Sequence, residues 1–305
     1  MNAHAPAVPP PDGAIGTAVQ AESHAVLNHH AKSFSLAGLF LPPAQADDAA
    51  VVYAFCRLVD DLADEAPNPT VARTRLDAVA AELDGSAPPR PIVAAFLTVA
   101  ARQGIDLQAA RDLMAGVLSD LVAVRVRDLE ELDLYCYRVA GTVGLMMCGV
   151  MGVTETTARA PALALGEAMQ LTNICRDVLE DLDRDRVYVP ETVLVSQGAS
   201  QAELLAGTAD RAAVVAAVAV LLDRAEEKYE QGFAGMGFIP FRPRLAILVA
   251  RRLYRQIGRR LRRLHGGDPL HGRTMVPTAL RGVLVLLGLL DALNPRTWRR
   301  NARGA

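Results

Sequence analysis

Two short acidic stretches hold the residues best suited to chemistry in this chain. In the first, AAVVYAFCRLVDDLADE at 49–65, Tyr53, Arg57, Asp60 and Asp64 recur at offsets of 4, 3 and 4, the spacing that aligns side chains on one helix face. Val52, Phe55, Cys56, Val59 and Leu62 surround that stripe. The helix is therefore expected to pack on both sides of it, with its carboxylates facing a cleft. Two acids one turn apart repel each other, more so when desolvated, and call for a compensating cation. Arg57 supplies part of it. Mg²⁺ suits the rest, because it takes oxygen ligands and is shared between one or two carboxylates and substrate phosphates. Alone, a D-D-x-x-D run more often caps the solvent end of a helix than builds a site.

A second copy changes that balance. In QLTNICRDVLEDLDRDRVYVP at 170–190, Gln170, Asn173, Asp177 and Asp181 fall at offsets of 3, 4 and 4, beside an apolar stripe of Leu171, Ile174, Cys175, Val178 and Leu182. A face of two amides and two carboxylates is poor core material, because each buried polar group needs a partner. It is good lining for a metal–diphosphate site, where carboxylates grip the metal and arginines such as Arg176, Arg184 and Arg186 bind phosphate oxygens. Asp183 to Arg186 alternate in sign and read as a salt-bridged loop at the solvent edge. Two such helices facing each other would explain both patterns together.

The elements that must hold these faces are helical. From about residue 22 onward the apolar periodicity predicts helices over 22–31, 44–66, 70–84, 90–103, 107–127, 129–151, 157–182, 201–207, 210–235, 242–265 and 276–294. Prolines at 42–43, 67, 69, 88–89, 161, 190, 240, 243 and 277 punctuate the series near its ends. Alternating strand patterns are nearly absent, no repeat of 20 to 50 residues appears, and no linker divides the chain. The expected fold is all-α, one helical domain over 21–295, with a disordered Ala/Pro/Gly-rich leader at 1–20 and a basic tail at 296–305. With 51% hydrophobic and 22% charged residues, the 305-residue chain can bury a large core.

A formal charge of −2 gives no overall attraction to nucleic acid. The run RRLYRQIGRRLRR at 251–263 is a local exception, with seven arginines and no acid, suited to diphosphate, anionic lipid or nucleic acid. Cys56, Cys136, Cys148 and Cys175 form no C-x-x-C pair and read as buried thiols of a cytoplasmic protein. Residues 283–293 are apolar but too short to span a bilayer, which leaves peripheral contact at the inner membrane face open. No G-x-G-x-x-G follows a strand, so no dinucleotide fold is expected.

Beyond the two acidic motifs, the blocks HHAKSFSLAGLFLP at 29–42, YCYRVAGTVGLMMCGVMG at 135–152 and LVARRLYRQI at 248–257 stand in an order that resembles the squalene/phytoene synthase family. That resemblance implies an isoprenoid-synthase-type helical bundle around a central cavity, with the motifs DDLAD at 60–64 and DVLED at 177–181 facing each other across its mouth. It implies Mg²⁺, with Mn²⁺ as a substitute, on Asp60, Asp64, Asp177 and Asp181, and diphosphate on Arg57, Arg176 and Arg273. Tyr53, Tyr188 and Tyr254 match catalytic positions. Gln170, Asn173, Tyr135, His30 and Ser33 match substrate-binding ones.

Ala140, Gly144 and Cys148, at four-residue spacing, form a small-residue groove that serves either close helix packing or a prenyl chain, and the resemblance favours the chain. The family joins two identical prenyl diphosphates head to head through a cyclopropyl diphosphate. The wording of 135–148 is closest to phytoene synthases, and Gly38 leaves volume near Ser33-Phe34-Ser35. The expected substrate is geranylgeranyl diphosphate, with no NADPH requirement. A C30 synthase acting on farnesyl diphosphate is the alternative, and a non-catalytic helical binding protein a third. The oligomeric state is left open.

Overall fold

Proline and short polar side chains set many of the helix starts. Pro43, Pro69 and Pro91 occupy first-turn positions, where the missing N–H costs nothing. Asn68, Asp106, Asp128, Ser200 and Asp210 accept hydrogen bonds from backbone amides two or three residues on. A computed structural model describes residues 15–299. Its first half comprises Thr17–His30 (α1), Lys32–Gly38 (α2), Pro43–Asp64 (α3), Pro69–Leu83 (α4), Pro91–Gln103 (α5), Leu107–Ser119 (α6), Leu129–Cys136 (α7) and Thr142–Val150 (α8). There follow Arg159–Arg176 (α9), Val178–Leu182 (α10), Glu191–Ser196 (α11), Gln201–Leu205 (α12), Arg211–Ala234 (α13), Phe241–Arg263 (α14) and Thr278–Asp291 (α15).

The fold is all-α, with two main core clusters. One joins α3 to α6 and α8 around Phe55, Phe96, Leu76, Leu113 and Met146; Phe55 and Phe96 stack at 4.0 Å. The other joins α7, α9 and α13 around Leu132, Leu171, Leu221 and Tyr229. α9 lies along α13, and α14 packs on both α9 and α15. Much of the arginine run is taken up by acids of neighbouring helices: Arg251 and Arg255 pair with Glu230, each at 2.9 Å, Arg252 with Asp291, and the exposed Arg262 with Asp223 at 2.6 Å.

Several expected boundaries are corrected. α1 begins at Thr17, so the last four residues of the expected leader are helical; residues 1–14 and 300–305 lie outside the described residues. Within the expected tail, Pro295–Trp298 forms a 3₁₀ turn. The helix expected over 107–127 stops at Ser119, because Val124–Arg125 (β1) pairs in parallel with Arg186–Val187 (β2), a two-stranded contact the sequence did not announce. α2 and α11 were also unforeseen. The helix expected over 129–151 contains a π turn at Tyr137–Gly141, and the one expected over 157–182 breaks at Asp177, where φ is −103° and ψ 14°.

α8 and the π turn approach α9 backbone to backbone. A Cβ on Gly166 would run into the Ala140 carbonyl, and one on Gly144 into the Ala162 carbonyl. Close helix packing is thus what Gly144 provides. Because neither obstacle is a movable side chain, Gly166→Ala is expected to cost about 1–3 kcal/mol, read as a lowered unfolding midpoint in urea.

Candidate active site

The two acidic segments meet. Arg57, Asp60 and Asp64 from α3 and Gln170, Asn173, Asp177 and Asp181 from α9 and α10 line one polar cavity of about 210 Å³. The break at Asp177 does not scatter the second face, since the Asp177 amide still donates to the Asn173 carbonyl at 2.8 Å and the Asp181 amide to the Asp177 carbonyl at 2.9 Å. Arg184 and Arg186 reach across to Asp64, each at 3.2 Å, and tie the segments together. The turn carrying them is held at Asp185, whose φ of 57° is rare for a residue other than glycine. Arg125 donates to the Asp185 carbonyl at 2.6 Å and secures it. The sign-alternating loop is therefore part of the mouth, and Arg186 faces inward.

Sequence reasoning missed Asp120. It ends α6, lines the polar cavity beside Tyr135 and Tyr188, and accepts a hydrogen bond from the Tyr135 hydroxyl at 2.9 Å; the two tyrosine rings stack at 4.7 Å. Its signal was present: Leu113, Val117 and Asp120 share a helix face that turns from apolar to acidic, as Tyr53, Cys56 and Asp60 do.

Burial raises three of these acids. Asp60 is pushed up to about 7 by desolvation, with Arg57 pulling it down and Asp64, Asp61 and Asp120 pushing it further up. Asp181 also reaches about 7, through desolvation and Asp177, offset by Arg186 and Arg184. Asp120 reaches about 6 through desolvation, offset by its tyrosine hydrogen bonds and Arg186. A carboxyl raised above its unfolded value of about 4 contributes stability that is full below that pH and lost as pH rises through the folded value. Asp60→Asn is therefore expected to raise the melting temperature of the metal-free protein more at about pH 8 than at about pH 5. Equal shifts at both pH values would contradict a buried, cation-starved Asp60.

The residues present fit a metal–diphosphate ligand. Oδ1 of Asn173 and Oδ1 of Asp120 are buried acceptors with no donor, and Nε of Arg57 is a buried donor with no acceptor. Among the described residues, no three carboxylate, imidazole or thiol side chains cluster tightly enough to hold an ion alone. Oxygens from substrate phosphate and water would have to complete any Mg²⁺ shell here, which is this ion's usual habit. Arg273 sits at the rim, 3.3 Å from Asp177 and 3.1 Å from Glu180, while Arg176 is paired with Asp177 through Nε at 2.7 Å. Asp61 does not line the cavity but forms an ion pair with Arg57, which does.

Asp60, Val139, Gln170 and Asn173 also line a second, apolar cavity of about 300 Å³, so mouth and shaft are continuous. Phe34, Tyr53 and Tyr254 form its aromatic neck; Phe34 stacks on Tyr254 at 5.0 Å, and burial pushes the Tyr53 hydroxyl up to about 12. Ala140, Gly144 and Cys148 line one wall. The floor is made by Ala158, Pro161, Met151, Gly235, Met236 and Ile239. From Asn173 to Ala158, the N-cap of α9, is fifteen residues, a wall of about 22 Å at 1.5 Å per residue.

Three expected positions lie elsewhere. His30 is exposed at the end of α1 and Ser33 is half-buried on α2, and neither lines a cavity, although the adjacent Phe34 does. Gly38 has open space around its Cα and does not line the shaft, so it leaves no volume there for a chain.

An all-helical bundle with an acidic, arginine-lined mouth opening on a long apolar shaft defines an isoprenoid-synthase type of protein. Comparison with known proteins gives the particular branch. A family model described as squalene/phytoene synthase matches residues 27–279. The 15-cis-phytoene synthase of Synechococcus elongatus is 36% identical over 254 residues, which is 77% of this chain and 81% of that one. The phytoene synthase of Thermus thermophilus is 38% identical over 274 residues, 88% of this chain and 92% of that one. Among solved structures, a dehydrosqualene synthase in complex with ligand superposes with a TM-score of 0.81 at 28% identity, covering 90% of this chain and 96% of that one. Squalene synthase HpnC from Alicyclobacillus acidocaldarius gives 0.71 at 26% identity, covering 81% and 94%. The chain belongs to the squalene/phytoene synthase family, and it is a prenyltransferase-type enzyme that condenses prenyl diphosphates head to head.

Proposed function

We propose that this enzyme condenses two molecules of geranylgeranyl diphosphate to phytoene by way of a cyclopropyl diphosphate. The observation that carries the reading is the shaft. An extended geranylgeranyl chain, with sixteen main-chain carbons advancing about 1.3 Å per bond, measures about 19 Å, against about 14 Å for farnesyl. The wall of about 22 Å between Asn173 and Ala158 accommodates the longer chain.

Asp60, Asp64, Asp177 and Asp181 would hold Mg²⁺, with Mn²⁺ as a substitute, and Asn173 and Asp120 stand beside them with unsatisfied oxygens. Bound there, the metal supplies Lewis-acid stabilisation of the departing diphosphate. Arg57 and Arg273 face the same charge from the cavity wall and the rim, and Arg176 acts from behind Asp177. At the neck, the ring faces of Tyr53, Tyr254 and Phe34 are placed to stabilise an allylic cation, and the apolar shaft keeps water from it. In this reading the last step is loss of a proton, which needs no NADPH. The likeness to dehydrosqualene and squalene synthases favours a second reading, in which the same site joins two farnesyl diphosphates to a C30 product. The family's apolar substrates and products also make peripheral contact with a bilayer part of the proposal.

A competition assay separates the two products. Purified enzyme with Mg²⁺, no NADPH and equal amounts of both diphosphates is expected to yield C40 hydrocarbon. Exclusive turnover of farnesyl diphosphate would overturn the phytoene reading.

A further inference from the structure

We infer that the outward face of α15, together with the Phe241–Trp298 pair at its end, seats the enzyme on an anionic lipid bilayer. The inward face of α15 is fully used, since Leu284 is buried and Gly288 lies so close to Val249 of α14 that a Cβ would meet the Val249 Cα at 2.8 Å. The outward face is Val283, Leu286, Leu287 and Leu290, a helical stripe that Leu293 continues in the turn just past the helix; Leu286 is 57% and Leu293 75% exposed. A soluble surface rarely leaves such a stripe uncovered.

The stripe ends in aromatics. Phe241 and Trp298, 50% and 55% exposed, stack at 5.8 Å. The indole N–H donates to the Ala292 carbonyl at 2.8 Å, and the Arg244 guanidinium lies 4.7 Å from the ring centre. Amphipathic rings of this kind settle at the headgroup level of a membrane. At fourteen residues, α15 is about 21 Å long, and no described helix is long and apolar enough to cross a bilayer, so α15 would lie in the interface plane.

Charge selects the occupant. Of the arginines after Asp268, Arg273 pairs with Asp177 and Glu180 at the mouth and Arg296 with Glu230, and the one acid there, Asp291, is paired with Arg252. Arg242 and Arg299 are exposed with no ion pair among the described residues. A second copy docking by two-fold symmetry would set this basic rim against itself, whereas anionic headgroups complement it. Behind the patch, Met236 and Ile239 of the shaft floor pack in one cluster with Ala292. The apolar end of the shaft therefore lies near the lipid; only this last point rests on the proposed prenyl substrate.

Trp298 is the chain's single tryptophan and reports directly on the patch. With vesicles of phosphatidylcholine and phosphatidylglycerol, the full chain is expected to co-sediment. Its tryptophan emission should shift to the blue and be quenched by brominated acyl chains. Binding should weaken at high salt and on pure phosphatidylcholine. Leu286→Glu with Leu290→Glu should reduce vesicle affinity at least about tenfold, with helicity and diphosphate release in detergent unchanged. Unchanged emission with anionic vesicles overturns the proposal without any variant. So does a double variant that binds as the wild type does, or light scattering that finds a dimer which the double variant dissolves. Because none of these readouts depends on chain length of the substrate, a failed phytoene assignment would leave them standing.

Discussion

Asp60→Asn is expected to lower Mg²⁺-dependent diphosphate release by about a thousandfold or more, and Asp177→Asn to do the same. The two residues come from different segments, yet both line the one polar cavity, so each variant removes one jaw of the same clamp. In the proposed mechanism ionisation places full negative charge on the leaving group, and a jaw that has lost its carboxylate would not hold the metal that offsets that charge. Folding should survive, because Asp60 is a buried acid raised to about 7 whose replacement by a neutral isostere relieves the apo protein. Higher stability with lost turnover is the joint signature. Asp61→Asn is the useful contrast: Asp61 pairs with Arg57 and does not line the cavity, so its loss should be far milder. Diphosphate release measured by a coupled assay decides, and a loss within about tenfold for Asp60→Asn would refute the site assignment.

Ala158→Phe is expected to reverse chain-length preference, lowering the ratio of C40 to C30 product by about a hundredfold. Ala158 is buried at the far end of the shaft, where the about 22 Å wall ends. A benzyl group there removes the space of the terminal isoprene units of a geranylgeranyl chain and leaves the nearer space intact. A methylene too many in an apolar pocket costs about 10- to 200-fold in discrimination, and a phenyl ring exceeds that displacement. Ala158→Val should give an intermediate ratio with less overpacking. Unchanged product ratios in both folded variants would show that chain length is read elsewhere.

Much of the site was legible in the sequence because helix periodicity converts spacing into direction. Tyr53, Arg57, Asp60 and Asp64 could be placed on one face from their offsets alone, and α3 is unbroken along that face. The second face was read as one helix and is two, joined at Asp177; the side chains still converge because the junction keeps helical hydrogen bonds on both sides. What spacing could not convey was tertiary. The two-residue parallel pairing that brings Arg186 beside Asp120 joins segments about sixty residues apart and is too short to leave an alternating pattern. The role of Gly144 depended on what lay beyond its missing Cβ, and that was the Ala162 backbone. Gly38 was placed by sequence proximity to Phe34, but α2 turns it away from the shaft. The arginine run at 251–263 looked free because its acids lie on α13 and α15.

The most direct test of the head-to-head reaction is stoichiometry. With geranylgeranyl diphosphate as sole substrate and no reductant, the enzyme is predicted to release two diphosphates for each C40 hydrocarbon, and none after chelation of divalent metal. Release of diphosphate with only geranylgeraniol as product, or turnover that persists under chelation, would contradict the account.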